Sequence, residues 1–149
     1  MKKFLLAVVF SFTFGLCKAQ VVTIGPMLHC YFTKGRPIVT VGLEGALYFG
    51  LISIDVGFEK GGGQITRYAE LQLCSVYNSK KINTINGVSL GYFKMSSLDG
   101  AVDGFQSTLW SCYGAGADVR VRLGRNYRSF GGGVFAKLPI PVGMFHMHL

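Results

Sequence analysis

Beyond an apolar N-terminal segment, the chain alternates with a period of two: one parity is apolar or aromatic, the other is Gly, Ser, Thr, Glu, Asp and Arg. Successive side chains of a strand point to opposite faces, so the pattern predicts sheet with one greasy face and one polar face. Val22 to Phe32 is the first strand, with Ile24, Leu28, Cys30 and Phe32 opposed to Thr23, Gly25, His29 and Tyr31. Thr33 to Pro37 supplies a turn. Ile38 to Phe49 follows, with Val39, Val41, Leu43 and Leu47 against Thr40, Gly42, Glu44 and Tyr48, and the chain turns near Gly50.

From Leu51 to Lys60, Ile52, Ile54, Val56 and Phe58 oppose Ser53, Asp55, Gly57 and Glu59, and Gly61-Gly62-Gly63 closes that hairpin. A fourth strand, Ile65 to Tyr77, sets Ala69, Leu71 and Leu73 against Glu70 and Gln72. Arg67 falls on its apolar parity, which suggests a register-shifting bulge. After a polar connection from Asn78 to Ile85, the fifth strand alternates Val88, Leu90 and Tyr92 with Ser89 and Gly91, and a loop is expected from Ser96 to Gly104. The clearest alternation runs unbroken from Gln106 to Leu123, with Gly116, Asp118, Arg120 and Arg122 on the polar side, and reads as one long sixth strand. Arg128 to Leu138 is the seventh, ending at Pro139-Ile140-Pro141, where a ladder should break because proline lacks the donor. Gly143 to Leu149 is a candidate eighth.

Half of the residues are hydrophobic and only 15% are charged, against about 25% in an ordinary globular chain. The polar parity nonetheless carries charges of both signs. Both features predict an all-β fold: a closed antiparallel up-and-down transmembrane β-barrel of eight strands, apolar outside, with a polar interior filled by side chains. Open strand edges are not tolerated in lipid, so the last strand should close on the first. The interior charges by parity are Glu44, Asp55, Glu70 and Asp118 against Arg120, Arg122 and Lys137, a set that nearly cancels and suggests a salt-bridged plug. An eight-stranded barrel is just wide enough for side chains to fill, so no solute channel is expected. The competing reading is a secreted soluble barrel whose apolar parity faces inward around an apolar ligand.

The N-terminus predicts a compartment. Lys2 and Lys3, the apolar run Phe4 to Leu16, and Cys17-Lys18-Ala19 before Gln20 have the layout of a secretory signal peptide, giving residues 1–19 as signal and 20–149 as one barrel domain. The run is shorter than the roughly 20 residues of a membrane-spanning helix. Phe14-Gly15-Leu16-Cys17 loosely matches a lipobox, leaving lipidation at Cys17 open. Removing the signal lowers the net charge from +8 to about +5. The remaining basic residues, such as Lys34, Arg36, Lys80, Lys81, Arg125 and Arg128, are scattered in or beside turns, unlike the concentrated face of a nucleic-acid binder.

Alternation, length, export signal and glycine-aromatic strands such as Gly87-Val88-Ser89-Leu90-Gly91-Tyr92-Phe93 together resemble the small, porin-like outer-membrane β-barrel proteins of Gram-negative bacteria. The resemblance covers the whole mature region and rests on no single specific motif. It implies an outer-membrane location and insertion by the barrel-assembly machinery; the basic turns of such a protein would face outer-membrane lipid headgroups and lipopolysaccharide phosphates, with solvated rim charge as the simpler reading. The C-terminal Met147-His148-Leu149 departs from the terminal aromatic residue usual in that group, although Phe145 is near.

Candidate chemistry is sparse, and no cofactor is called for. Cys30, Cys74 and Cys112 are an odd set for an oxidising compartment. Cys74 and Cys112 share the inward parity and are the candidate disulfide, but a strand separates them and a bridge tolerates only about 4.4 to 6.8 Å between Cα atoms. His146 and His148 share a face and are candidate metal ligands. Register should set His29 opposite the region of Pro141, away from them, so hydrogen-bonding histidines are the simpler reading. Inward Ser53, Ser89 and Ser129 have no evident His partner, and Glu44 near Arg120 or Arg122 is as well explained by a structural ion pair, so catalysis is not indicated. Recognition, if the barrel performs it, is expected at loops such as Ser96 to Gly104.

Overall fold

The computed structural model describes residues 21–78, 83–97 and 100–140. Eight long strands follow in a simple meander: β1 (Val21–Thr33), β2 (Arg36–Phe49), β3 (Ile52–Gly61), β4 (Gln64–Asn78), β5 (Asn83–Ser97), β6 (Gly100–Tyr113), β7 (Ala115–Gly124) and β8 (Tyr127–Ala136), with a short β9 (Leu138–Ile140). Each pairs antiparallel with the next, and β1 pairs with both β2 and β8, so the sheet closes.

The stagger of the closure follows from the register. Laterally paired residues run from Val22 through Leu47, Ile54, Leu71, Leu90, Ser107, Val121 and Phe130 and return to β1 at Phe32, ten residues further along. Eight strands with that shear tilt by about 40° and leave an interior that side chains can fill. Except for Ser107, every residue on this path is apolar, and the path winds around the outside of the wall. Outward residues such as Leu90 (63% exposed) and Leu109 (62%) lie in the open, whereas the inward Arg120 and Arg122 are each 2% exposed. The apolar parity therefore faces out, which overturns the soluble barrel with an apolar interior.

Several expected boundaries move. The stretch Gln106 to Leu123 is two strands, β6 and β7, reversing at Gly114, whose φ of +76° suits glycine. The expected loop from Ser96 to Gly104 is mostly strand, since β5 reaches Ser97 and β6 starts at Gly100, and the polar connection from Asn78 to Ile85 is likewise shortened by β4 and β5. No bulge occurs at Arg67: β3 and β4 pair without a break from Gly61↔Gln64 to Ile52↔Leu73, and Arg67 projects from the outer wall.

Pro139 does not end the ladder. Leu138–Ile140 pairs with Ile24–Val22 in the register already set by β8, and so extends that strand. Lys137 N–H donates to Gly114 O at 2.7 Å, toward the β7 side. The nitrogen two residues on points the same way, where β7 has already ended, so proline removes no ladder bond there. Gly25 is needed at this seam, because a Cβ on it would overlap the Ala136 carbonyl. Closure is thus made by β8 and β9; the candidate strand Gly143 to Leu149, with His146 and His148, lies outside the described residues, as do Cys17 and the signal segment.

Candidate functional site: the buried charge network

Alternation delivers one polar side chain to the interior at every second residue, and the shear brings distant strands to the same level. Arg120 on β7 is the hub. Its Nε donates to Asp118 Oδ2 at 3.0 Å, Nη1 to Glu59 Oε1 at 3.2 Å and Nη2 to Glu44 Oε2 at 3.1 Å, so one guanidinium joins β2, β3 and β7 across the barrel. Arg122 donates through Nη2 to Glu59 Oε2 at 3.1 Å and through Nε to Gln106 Oε1. Lys137 Nζ donates to Asp55 Oδ2 at 2.8 Å and stands 3.3 Å from Glu44 Oε1.

Neutral groups complete the shell. Tyr31 and Tyr68 donate to Glu59 at 2.8 Å and Glu44 at 2.9 Å, and their rings carry the guanidinium carbons of Arg122 and Arg120 at 4.2 and 4.8 Å from the ring centres. Gln72 Nε2 donates to Asp55 at 2.8 Å. Glu70 has no cation among the described residues and is held by Gln106 Nε2 and Thr108 Oγ1, each at 2.7 Å. No void able to take a water molecule opens between Glu44, Asp55, Thr108, Trp110, Asp118 and Lys137.

All seven residues chosen by parity are buried inside, but Glu70 stands apart from the cations. Two central members were missed. Glu59, inward on the parity of Asp55, accepts from both arginines, Tyr31 and Thr40. His29 lies opposite Gly133, not the Pro141 region, with Nε2 2.8 Å from Asp118 Oδ1 and Nδ1 3.3 Å from Glu59 Oε1. Gly133 makes the room, since a Cβ there would strike the imidazole. Among the described residues the interior balance is accordingly five carboxylates, Glu44, Asp55, Glu59, Glu70 and Asp118, against three permanent cations and His29.

The other candidates do not assemble chemistry. Cys74 and Cys112 are buried free thiols. They sit on β4 and β6 with β5 between them, paired to Gly87 and Ile85. Ser53 Oγ donates to Gln72 Oε1 at 2.9 Å, while among the described residues Ser89 and Ser129 have no partner for their hydroxyls and none of the three meets His29. Among the described residues, no three His, Cys, Asp or Glu side chains are placed to hold a metal ion.

No protein-family model and no curated protein sequence matches the chain. Among solved structures, the N-terminal β-barrel domain of Pseudomonas aeruginosa OprF superposes with a TM-score of 0.52 at 7% identity, covering 79% of this chain and 97% of that one. Ail, the attachment invasion locus protein of Yersinia pestis, aligns at 11% identity over 80% of this chain and 97% of its own, but its TM-score of 0.40 carries no weight. The closed eight-stranded meander and the OprF superposition agree on one point: this chain has the fold of a small outer-membrane β-barrel.

Proposed function

We propose that the protein is an integral outer-membrane barrel with a structural role, exported by residues 1–19, inserted by the barrel-assembly machinery and neither channel nor enzyme. The observation that carries this reading is the inversion of exposure: Leu43, Leu71, Leu90, Leu109 and Val134 point outward all around the wall, and the ionic side chains point in. In water, so large a continuous apolar surface would drive aggregation; in hydrocarbon it is the favourable surface, and closure leaves no unpaired strand edge. The packed network between Glu44, Asp118 and Lys137 supports a sealed cylinder over an aqueous pore.

Recognition through long loops finds little material here. At the end away from the termini, Lys34-Gly35, Gly62-Gly63 and Arg125-Asn126 each join two strands with two residues. What the barrel offers a neighbour is its wall and rim.

Expression with the native signal, followed by membrane fractionation and gel electrophoresis with and without boiling, tests the proposal. Enrichment in the outer membrane, resistance to carbonate extraction and a heat-dependent shift in mobility are expected. Recovery in the soluble periplasm without such a shift overturns it.

A further inference from the structure

Arg67 is the anomaly of the outer wall: a charged residue on the lipid-facing parity of β4. Across the next strand it is paired with Lys94, also outward, and Lys60 on β3 stands diagonally to it, two pairs beyond Phe58↔Arg67 at Lys60↔Ile65. Like charges directly opposite on a sheet face have Cβ atoms about 5 Å apart and repel. Among the described residues, no carboxylate comes within ion-pair distance of these three cations. The adjacent Asp103, which pairs with Lys94 across β5 and β6, instead accepts the hydroxyl of Tyr92 at 2.6 Å.

Beneath Arg67 the apolar wall is indented. Gly45 leaves a gap between β1 and β3, and a groove of about 690 Å³ runs past Ile24, Leu43, Val56 and Phe58 to Ile65 and Arg67. That volume lies within the range of about 300–1,000 Å³ of ligand sites. Arg67 is four residues past Gly63 of the Gly62-Gly63 turn, about 13 Å along a strand tilted by about 40°, so on the membrane reading its guanidinium lies toward the headgroups. Every exposed Lys and Arg among the described residues lies in this half of the barrel, away from the termini, and Asp103 is the single exposed acid described. A basic cluster above an apolar groove matches one kind of molecule, an acyl lipid with an anionic phosphate headgroup.

We propose that the outer wall of β2–β5 binds one anionic phospholipid, with an acyl chain in the groove over Gly45 and Val56 and the phosphate between Arg67 and Lys94, Lys60 beside them. The site rests on the membrane reading above. The phosphate relieves the Arg67–Lys94 repulsion with charge-assisted hydrogen bonds, and the acyl chain fills the space that Gly45 leaves open. A Cβ at Gly45 would meet only Thr23 O, at an ordinary 3.6 Å, so a larger side chain there fills the groove without disturbing the wall.

Native mass spectrometry of the full barrel, refolded in detergent with equimolar phosphatidylglycerol and phosphatidylcholine of the same acyl chains, reads the site. One retained phosphatidylglycerol per barrel is expected. Arg67→Gln with Lys94→Gln, and independently Gly45→Leu, should each lower that occupancy roughly tenfold, while Arg125→Gln with Arg128→Gln on the opposite side should leave it unchanged. Equal retention of both lipids, equal loss in the Arg125/Arg128 variant, undiminished binding in Gly45→Leu, or displacement by millimolar inorganic phosphate alone would each overturn the site. Heat-dependent gel mobility certifies that each variant is folded, with Lys94→Gln alone as substitute for a double variant that is not. A wild-type chain without that shift fails the membrane reading, whereas a shifting barrel with no lipid preference fails only this site.

Discussion

Replacing Arg120 with Met tests whether the interior is held by its charge network or merely filled by it. The side chain serves three carboxylates at once, at 3.0, 3.2 and 3.1 Å, from a position 2% exposed. Removing one partner of a buried ion pair typically costs about 3–5 kcal/mol, because the charge left behind has lost its compensation. Here the loss is cushioned unevenly: Glu59 keeps Arg122, Tyr31 and Thr40, and Glu44 keeps Lys137 and Tyr68. Among the described residues, Asp118 keeps only His29. One carboxylate out of three is therefore nearly stripped, and the expected loss sits at the lower end, about 3 kcal/mol. Trp110 is the single tryptophan and is buried beside the network, so its emission follows urea unfolding of the barrel in lipid vesicles. Asp118→Asn in the Arg120→Met background should recover part of the loss, since it removes the charge that was exposed to the deficit. A loss below about 1 kcal/mol, or no recovery from Asp118→Asn, would refute the argument that ionic compensation holds the core.

Three further outcomes follow from the same geometry. Gly25→Ala should abolish the folded, heat-shifted species, because the new methyl meets the Ala136 carbonyl at the seam between β1 and the end of β8; a normal shift would show that the seam is misplaced. Cys74 and Cys112 should react with a maleimide only after unfolding, with no reductant required, and a thiol released solely by reductant would restore the disulfide that their separation forbids. Emission from Trp110 should resist quenching by brominated acyl chains, since its indole faces the interior; strong quenching would place the apolar face inside and the polar face out.

What the sequence disclosed and what it hid are both consequences of parity. In an antiparallel hairpin, paired residues lie on the same face, so the apolar parity flips across a turn when the numbers of each pair sum to an odd value and persists when they sum to an even one. Six of the seven hairpins are of the first kind, as in Val22↔Leu47 and Leu47↔Ile54, and a parity change marks each of those turns. The β6–β7 hairpin alone pairs Tyr113 with Ala115 around Gly114 and keeps its parity, so the alternation passes through the turn unmarked and two strands read as one. Two strands read as one leave seven before Pro139 and make Gly143 to Leu149 the expected eighth, whereas β8 and its extension β9 close the barrel on β1.

The charge network was legible to the extent that facing is legible, and no further. Parity puts Glu44, Asp55, Asp118, Arg120 and Lys137 in the interior, but which of them meet depends on the ten-residue stagger, which is a property of all eight registers together. It is that stagger which sets Arg120 level with Glu59, 61 positions away, and leaves Glu70 to Gln106 and Thr108. Arg67 shows the same limit from the outside. Taken alone, a charge on the apolar parity suggests a fault in the strand; set against Lys94 across one rung and Lys60 across a diagonal, it becomes part of a cationic cluster over a groove. A departure from the pattern that the fold accommodates without a bulge is a feature of the surface in its own right, and on the membrane reading proposed above the counter-ion at hand is a headgroup.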